Sequence, residues 1–301
     1  MVRVRVPATS ANLGPAFDSL GIALTCYNEY EFSIEDKNDI VFEGVEKEFQ
    51  NKNNIIFMAM KRVFDKYNFS FNGLRIKIIE QDIPISRGLG SSSSCIVAGL
   101  IGAFALMGKD VNKEEVLDLA VKIEGHPDNV CPAIFGGLIS AIILDDKRII
   151  YNSVNVKEGI KFIALIPKFK LSTEKARAIL PSEVTFNDCI YNISRVALLI
   201  SVFANGNYEL LEEANKDKIH QPFRSKLIKD FDIVYNKAIE LGGLSCFLSG
   251  AGPTLMTIIK EEDNKFIDKF KKFMNENNID WDIKELIIDK QGAKVLKADN
   301  N

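Results

Sequence analysis

A loop rich in glycine and serine, set between a predicted strand and a predicted helix, is the feature that most constrains the fold. Alternating apolar and polar residues predict the strand over Leu74–Glu80, and an apolar run predicts the helix over Cys95–Met107. The loop, Pro84–Ser94, reads P-I-S-R-G-L-G-S-S-S-S. Its glycines permit close backbone approach, and the free N–H groups of a helix start attract anions. The loop therefore predicts an anion site suited to a triphosphate.

Other interpretations of this loop are weaker. No Lys-Ser or Lys-Thr pair follows it, which excludes a Walker A motif, and the third glycine of a dinucleotide fingerprint is absent. The serines could suggest a hydrolase that uses His126 and Asp128, but the chain has no G-x-S-x-G elbow around them. A serine-rich helix cap without a ligand stays open from the glycine pattern alone.

Composition excludes several classes of protein. The chain has 38 Lys and Arg residues and 41 Asp and Glu residues, a net charge of −3. It therefore lacks the excess of basic residues that would favour a nucleic-acid partner. The longest apolar run, Cys95–Met107, has 13 residues, fewer than a bilayer span requires, and we expect no membrane segment. The five cysteines form no C-x-x-C pair, which predicts reduced thiols and a cytoplasmic location. Two histidines make a zinc cluster improbable.

The order of elements predicts an α+β protein with two domains. Strands and helices occur in clusters without strict βα alternation. A polar break at Lys157–Gly159 places the predicted boundary between domains 1–158 and 159–301. Within the first domain, Pro7–Pro15 is predicted to be a loop after a strand at Val2–Val6, and Ile55–Lys66 has the apolar spacing of a helix.

Three segments in order along the chain resemble the GHMP kinases, a superfamily of small-molecule kinases. They are the N-terminal P-A-T-S-A-N-L-G-P-A-F-D-S-L-G, the loop P-x-x-x-G-L-G-S-S, and the C-terminal L-S-G-A-G-P-T. The first of these is similar to homoserine kinases rather than to mevalonate or galactose kinases. Further segments match the homoserine kinase family: Glu124–Gly137, Ser172–Pro181 and His220–Ile228.

The resemblance implies a two-domain GHMP kinase fold. Its N-terminal domain would be of the ribosomal-S5-like type and its C-terminal domain ferredoxin-like. It also implies that ATP and L-homoserine meet between the domains, that O-phospho-L-homoserine forms for threonine biosynthesis, that Mg²⁺ takes part, and that a homodimer is possible. Another GHMP kinase activity, or a non-catalytic ligand-binding protein of the same fold, stays open.

Carried over residue by residue, the resemblance implies four groups of site residues. The ATP loop would be Pro84, Ile85, Ser86, Arg87, Gly88, Leu89, Gly90, Ser91, Ser92, Ser93 and Ser94. Ser92 and Glu124 would hold the metal. Catalysis would involve Glu124, Ser92 and Asn129, with Asn129 beside the reacting hydroxyl. Asp128, the nearest carboxylate in the sequence, is added from its position as a residue that could accept the hydroxyl proton. The amino acid would contact Asn12, Asp18, His126, Thr173, Arg177, Arg224 and Gly250, the arginines taking its carboxylate and Asp18 its ammonium group.

Simpler interpretations stay open for single residues. Arg177 could form a surface pair with Glu174, three residues earlier on a predicted helix, and Arg224 could be a solvated charge. Asp18 could cap the segment that follows it, and Asn54, a candidate contact for adenine, is better explained as the cap of the helix at Ile55–Lys66.

The chain departs from the family pattern at a few positions. Ala16 replaces a usual glycine, Ser93 and Ser94 replace usual alanines, and Cys131 stands where alanine is common. Ala16 matters most, because a Cβ atom would strain the turn if its φ angle were positive.

Overall fold

The computed structural model describes residues 1–296, and the predicted domain 159–301 thus includes residues 297–301 that lie outside the described part. Eleven strands are described: β1 (Val2–Ala11), β2 (Leu20–Glu35), β3 (Ile40–Glu43), β4 (Gly73–Gln81), β5 (Leu138–Ile143), β6 (Ile149–Val154), β7 (Ile160–Pro167), β8 (Ser245–Leu248), β9 (Leu255–Lys260), β10 (Trp281–Leu286) and β11 (Lys294–Leu296).

Ten α-helices are described in the same residues: α1 (Ile55–Lys66), α2 (Ser91–Leu106), α3 (Lys113–Glu124), α4 (Val130–Phe135), α5 (Thr173–Ala178), α6 (Phe186–Asn205), α7 (Leu211–Ala214), α8 (Gln221–Arg224), α9 (Phe231–Glu240) and α10 (Phe266–Glu276). Within residues 1–296 no helix is long and apolar enough to cross a membrane.

The first sheet has seven strands and carries the phosphate-loop helix. Its main order is β11-β1-β2-β4-β3, and the start of β2 also pairs with β5, which pairs with β6. Helix α2 is apolar nearly all round and packs between this sheet and α1. Close packing explains one of its glycines, since a Cβ atom at Gly102 would lie 2.4 Å from the ring of Phe32 on β2. Helix α2 is thereby held in the core, and the loop that precedes it lines a cavity.

The second sheet is antiparallel, in the order β10-β7-β9-β8. Helices α9 and α10 cover one face of it through residues such as Val234 and Phe270. On the other face, Phe162 of β7 shares a core with Ile22 of β2 and Leu199 of α6. The two sheets are therefore joined by buried apolar surface, which holds the cleft between them in a defined geometry. The α+β class expected from the sequence is confirmed by these mixed layers.

Three differences from the predicted elements affect the site. Strand β1 continues to Ala11 across the predicted loop, because the strand pairing shifts at Pro7 and accommodates a residue without an N–H group. Helix α2 begins at Ser91 instead of Cys95, since Gly90 has a φ angle of 72° that allows an abrupt entry. The short strand β11 returns to the first sheet, where Val295 pairs with Val4.

The domain boundary at residue 158/159 stays a prediction. The second sheet begins two residues later at Ile160, whereas β11 belongs to the first sheet although it ends the described chain.

We predict that Asn54 stabilises the start of α1. Its side-chain oxygen accepts hydrogen bonds from the backbone N–H groups of Ile56 (2.9 Å) and Phe57 (3.2 Å), as expected for a helix cap. Asn54→Ala should lower the free energy of unfolding by about 1 kcal/mol, measured by denaturant titration without ligands. Asn54→Asp keeps the acceptor oxygen and should lose less. An alanine variant as stable as the wild-type protein would contradict this role.

Candidate active site

One cavity of about 390 Å³ brings together residues from both sheets. Its walls come from the glycine- and serine-rich loop, the turn after β1, the junction of α3 and α4, the start of α5, and the glycine turn between β8 and β9. Of the predicted ATP-loop residues, all but Pro84, Leu89 and Ser94 line it. Interdomain cavities of this size commonly bind small ligands.

The loop presents the N-terminus of α2 to this cavity. Gly88 and Gly90 have φ angles of 77° and 72°, and the 16-residue helix starts at Ser91. Leu89 is fully buried and accepts a hydrogen bond from the backbone N–H of Thr9 on β1, at 3.2 Å. The loop is thus anchored from below while its helical N–H groups face an open space, which is the arrangement that binds phosphate.

The side chain of Arg87 does not extend toward the helix start. Its guanidinium donates hydrogen bonds to the carbonyl oxygens of Pro167 (2.8 Å), Ile85 (3.1 Å) and Lys168. The first and last of these acceptors lie at the end of β7 in the second sheet. Arg87 therefore joins the phosphate loop to the segment that leads into α5.

Two of the four serines hold the carboxylate of Glu124. The hydroxyl of Ser92 donates to one oxygen of Glu124 at 3.2 Å, and that of Ser93 to the other at 3.1 Å. Glu124 is the last residue of α3, where the helix dipole disfavours an acid, so a local partner is needed. The hydroxyl of Ser94 points the other way and contacts the buried Tyr30, at 2.9 Å.

The junction between α3 and α4 places two of the four candidate catalytic residues, Asp128 and Asn129, side by side. Asp128 is buried and accepts a hydrogen bond from Nδ1 of His126 at 2.7 Å. Burial lowers the pKa of His126, but the hydrogen bond and charge of Asp128 outweigh it, so the pKa is raised above its ordinary value. Asn129 directly precedes α4, and its side-chain oxygen accepts a hydrogen bond from the hydroxyl of Thr9, at 2.8 Å.

The turn after β1 is held in unusual backbone conformations. Asn12 and Asp18 have φ angles of 70° and 55°, and the side-chain oxygen of Asn12 accepts from the N–H of Asp18, at 3.0 Å. Asn12 also donates to the carbonyl of Gly250, at 3.0 Å. Ala16 is buried and does not have a positive φ angle, so its Cβ atom causes none of the backbone strain considered above.

Asp18 and Arg177 form a two-pronged ion pair across the cleft, with nitrogen to oxygen distances of 2.7 and 3.0 Å. The residues are 159 positions apart in the chain. This pairing replaces both simple interpretations: Asp18 does not act as a cap, and Arg177 is not paired with Glu174 on its own helix. The pair is half-exposed, with side-chain exposures of 34% and 39%, so solvent or a ligand can reach it.

Arg224 is buried at 2% exposure, so it is not a solvated charge. It donates to the carbonyls of Ala176 (3.0 Å) and Gly250 (3.2 Å), and lies 3.4 Å from Nδ1 of His220. Burial, together with the positive charge of Arg177, lowers the pKa of Arg224 to about 10. Within residues 1–296 no carboxylate forms an ion pair with Arg224, and a buried guanidinium in this situation favours an anion that would complete its environment.

Sequence reasoning missed three residues that shape the site. Phe17 places its ring under both arginines, with the guanidinium carbons of Arg177 and Arg224 at 5.4 and 5.0 Å from its centroid. His220 donates from Nε2 to the carbonyl of Gly14 at 2.7 Å, which leaves Nδ1 as an acceptor for Arg224. Thr9 holds Asn129. All three lie inside or directly beside the segments that carried the family resemblance, which was the available signal.

Two sets of side chains could face a cation in the described residues. Ser92 and Glu124 offer a hydroxyl and a carboxylate at the helix start, the hard oxygen donors that Mg²⁺ prefers. Asp18, His126 and Asp128 also lie within 4.8 Å of one another through their ligand atoms. The second set is a poorer cation site, because Arg177 already neutralises Asp18 and Arg224 adds a further positive charge.

Family models match both parts of the chain. The model for the GHMP kinases N terminal domain matches residues 54–137, and the model for the GHMP kinases C terminal matches residues 199–276. The first match contains the phosphate loop and the junction at Glu124–Asn129, which are the two segments that place the serines and carboxylates around the cavity.

Comparison with known proteins gives close relatives over the whole length. A homoserine kinase of Clostridium beijerinckii is 52% identical, with 99% of each chain covered, and one of Clostridium botulinum strain Eklund 17B is 52% identical over 100% of both. Among solved structures, homoserine kinase of Cytophaga hutchinsonii superposes with a TM-score of 0.87 at 26% identity, covering 98% and 97% of the chains.

A more distant structure bears on the fold alone. Mevalonate kinase of Methanococcus jannaschii has a TM-score of 0.70 at 16% identity and covers 95% of this chain and 98% of its own. With the family models, the full-length relatives and the shared fold in agreement, the chain belongs to the homoserine kinase family of the GHMP kinases.

Proposed function

We propose that this protein transfers the γ-phosphate of ATP to the side-chain hydroxyl of L-homoserine, giving ADP and O-phospho-L-homoserine for threonine biosynthesis. The observation that carries the proposal is a single cavity with a phosphate loop at one end and Asp18, Arg177 and Arg224 at the other. A zwitterionic amino acid needs one negative and one positive partner, and phosphoryl transfer needs the two substrates side by side.

The amino acid would exchange partners with the existing ion pair. Its ammonium group would take Asp18, while its carboxylate would take the fork of Arg177 and the buried Arg224. Thr173 and Asn12 supply hydrogen-bonding groups at the edge of this space, and His126 lies on the side of Asp128. The side-chain hydroxyl would then extend toward Asn129 and the start of α2.

The residues present fit a magnesium ion. When bound, Mg²⁺ would neutralise negative charge that develops on the phosphate during transfer. Ser92 and Glu124 are the residues that would hold it, because both present oxygen atoms beside the helix start. The N–H groups of α2 would bind the phosphates themselves.

The protein need not supply a strong base. In a loose transition state the attacking hydroxyl keeps its proton until late, so orientation matters more than proton abstraction. Asp128 already receives the hydrogen bond of His126 and is buried, which favours a role in holding His126 and the hydroxyl in place. Asn129, fixed by Thr9, would orient the reacting hydroxyl.

A homodimer and a cytoplasmic location stay predictions that accompany this function. The five cysteines are free in the structure, consistent with a reducing compartment. Sedimentation at several protein concentrations would test the dimer.

The direct test is an assay of ADP release with Mg-ATP, comparing L-homoserine with mevalonate, galactose, shikimate and L-threonine. Release that depends on homoserine, above all other acceptors, is the expected result. Preference for another alcohol would keep the kinase and overturn the amino-acid site. Tight ATP binding without turnover on any acceptor would favour a ligand-binding protein of the same fold.

We predict that Arg177→Ala raises the KM for homoserine about 10- to 100-fold and changes the KM for ATP little. The variant removes a charge-assisted, two-pronged contact with the substrate carboxylate. Initial-rate kinetics with each substrate varied in turn would measure this. Arg148→Ala, which removes an exposed arginine on the turn between β5 and β6, is the control. An Arg177→Ala enzyme with unchanged homoserine KM would contradict the assignment.

Glu124→Ala should nearly abolish kcat, whereas Asp128→Asn should reduce it only modestly. Glu124 would hold the cation, and asparagine keeps a hydrogen-bonding oxygen in the place of Asp128. Single-turnover measurements at saturating substrates separate the chemical step from binding. A collapse of kcat in Asp128→Asn with unchanged substrate affinity would instead identify Asp128 as an essential general base.

Asp128→Asn should also lower the pKa of His126. The substitution removes the hydrogen-bonded carboxylate, while burial, which disfavours the charged imidazole, remains together with the smaller opposing effects of Glu124 and Asp18. Because the folded-state pKa is raised in the wild-type protein, charged His126 adds stability below its unfolded pKa, and that stability is lost as pH rises through the folded value. NMR titration of the imidazole resonances would measure the pKa of His126 in ligand-free wild-type protein and in ligand-free Asp128→Asn.

His220 is followed in the same titration as a reference, since burial lowers its pKa and the charges that act on it are those of Asp217, Arg224 and Asp18. A wild-type His126 that titrates below the ordinary histidine value, near 6.5, would show that Asp128 does not stabilise the imidazolium.

A further inference from the structure

We propose that Ser93 is a positioning residue that holds the carboxylate of Glu124 in the orientation needed for the divalent cation. The inference rests on the proposed function, because it concerns the same cation. It assigns to Ser93 a side-chain role distinct from that of Ser92, although the two serines are adjacent in the phosphate loop.

The geometry divides the two oxygens of Glu124 between two hydroxyl groups. Ser92 donates to Oε2 at 3.2 Å and Ser93 to Oε1 at 3.1 Å. The two serines differ in exposure, since Ser93 is 1% exposed while Ser92 lies open to solvent. Ser92 can therefore reach a ligand in the cavity, whereas the hydroxyl of Ser93 is buried against the carboxylate.

This difference predicts different behaviour when a cation binds. A hydroxyl that ligates a cation uses a lone pair and keeps its proton, so Ser92 would have to place its oxygen on the metal while its O–H points to Glu124, whereas Ser93 makes the hydrogen bond alone. The hydroxyl of Ser93 would keep its hydrogen bond to Oε1 of Glu124, so that one carboxylate oxygen would stay fixed. Partners that orient a metal-binding carboxylate typically contribute 10- to 100-fold to metal affinity.

The position of Glu124 makes such a partner necessary. The acid is the last residue of α3 and is followed by Gly125, whose φ angle is 91°. The C-terminal dipole repels its charge, and its other partner in the loop is the proposed metal ligand. A buried hydroxyl from the facing helix start offsets that repulsion, since the positive end of α2 lies on the same side.

The family resemblance implies that alanine is the usual residue at the position of Ser93. The replacement Ser93→Ala restores the usual residue, so we expect the variant to fold.

Ser94 offers a matched control on the same helix turn. It is also buried and also replaces an alanine of the family pattern, but its hydroxyl contacts Tyr30 instead of Glu124. Ser94→Ala removes the same atom at the adjacent position without touching the carboxylate.

The test compares ADP binding with and without metal. Calorimetry gives the dissociation constant of ADP in EDTA and the dissociation constant of ADP with saturating Mn²⁺. The first constant divided by the second is the metal ratio, which reports how strongly the protein engages the metal. Electron paramagnetic resonance of bound Mn²⁺ gives a second readout that needs no turnover. The wild-type protein, Ser93→Ala, Ser94→Ala and Glu124→Ala are measured side by side.

We expect Ser93→Ala to reduce the ratio about tenfold while the metal-free ADP constant stays the same, and Ser94→Ala to leave the ratio unchanged. If Ser93→Ala has the same ratio as the wild-type protein while Glu124→Ala has a much lower one, the role of Ser93 is overturned and the proposed metal site stays intact. An equal fall in Ser94→Ala would reduce the effect to general packing of α2 and overturn the inference. A full ratio in Glu124→Ala would overturn both the inference and the metal assignment.

Discussion

The contact between the phosphate loop and the glycine turn that follows β8 fixes the relation between the two halves of the molecule. A Cβ atom at Gly88 would lie 2.3 Å from the carbonyl oxygen of Ser249, so the two backbones meet without side chains between them. The hydroxyl of Ser249 donates a hydrogen bond to the carbonyl of Gly88 at 2.5 Å. The backbone N–H of Thr254 donates to the carbonyl of Arg87 at 3.2 Å. The anion site and the amino-acid site therefore share one wall.

Two charges of the site pair with each other before any ligand enters, whereas Arg224 has no ion-pair partner among the described residues. Asp18 and Arg177 neutralise one another across the cleft, and Arg224 is held by backbone carbonyls and by the ring of Phe17. A zwitterion can separate the ion pair and satisfy each partner in turn without a change in net charge. This explains how a half-buried site can hold three ionic groups and still favour a charged substrate over water.

Local pattern was sufficient to predict the helix at Ile55–Lys66 and its cap at Asn54, because both depend on residues next to one another in the chain. Helix α2 was predicted four residues short, since serines are weak helix formers and the entry at Gly90 depends on the contact with Thr9. The residue types around the site could be predicted from the segments that resemble the family. The pairing of Asp18 with Arg177 could not, because the two residues are 159 positions apart and meet only in the folded chain.

The return of β11 to the first sheet was missed for the same reason. Three residues, Lys294–Leu296, carry too little periodicity to indicate a strand, and their partner is at the opposite end of the chain. Likewise the separate roles of Ser92, Ser93 and Ser94 depend on which neighbour each hydroxyl meets, and a run of identical residues contains no information about that.

The most direct measurement of the central claim is a crystal structure with a non-hydrolysable ATP analogue and L-homoserine. We expect the terminal phosphate at the start of α2. The ammonium group should lie at Asp18, the carboxylate between Arg177 and Arg224, and the hydroxyl should face the phosphate beside Asn129. An amino acid bound elsewhere, with the Asp18–Arg177 pair intact and the phosphate away from the loop, would contradict it.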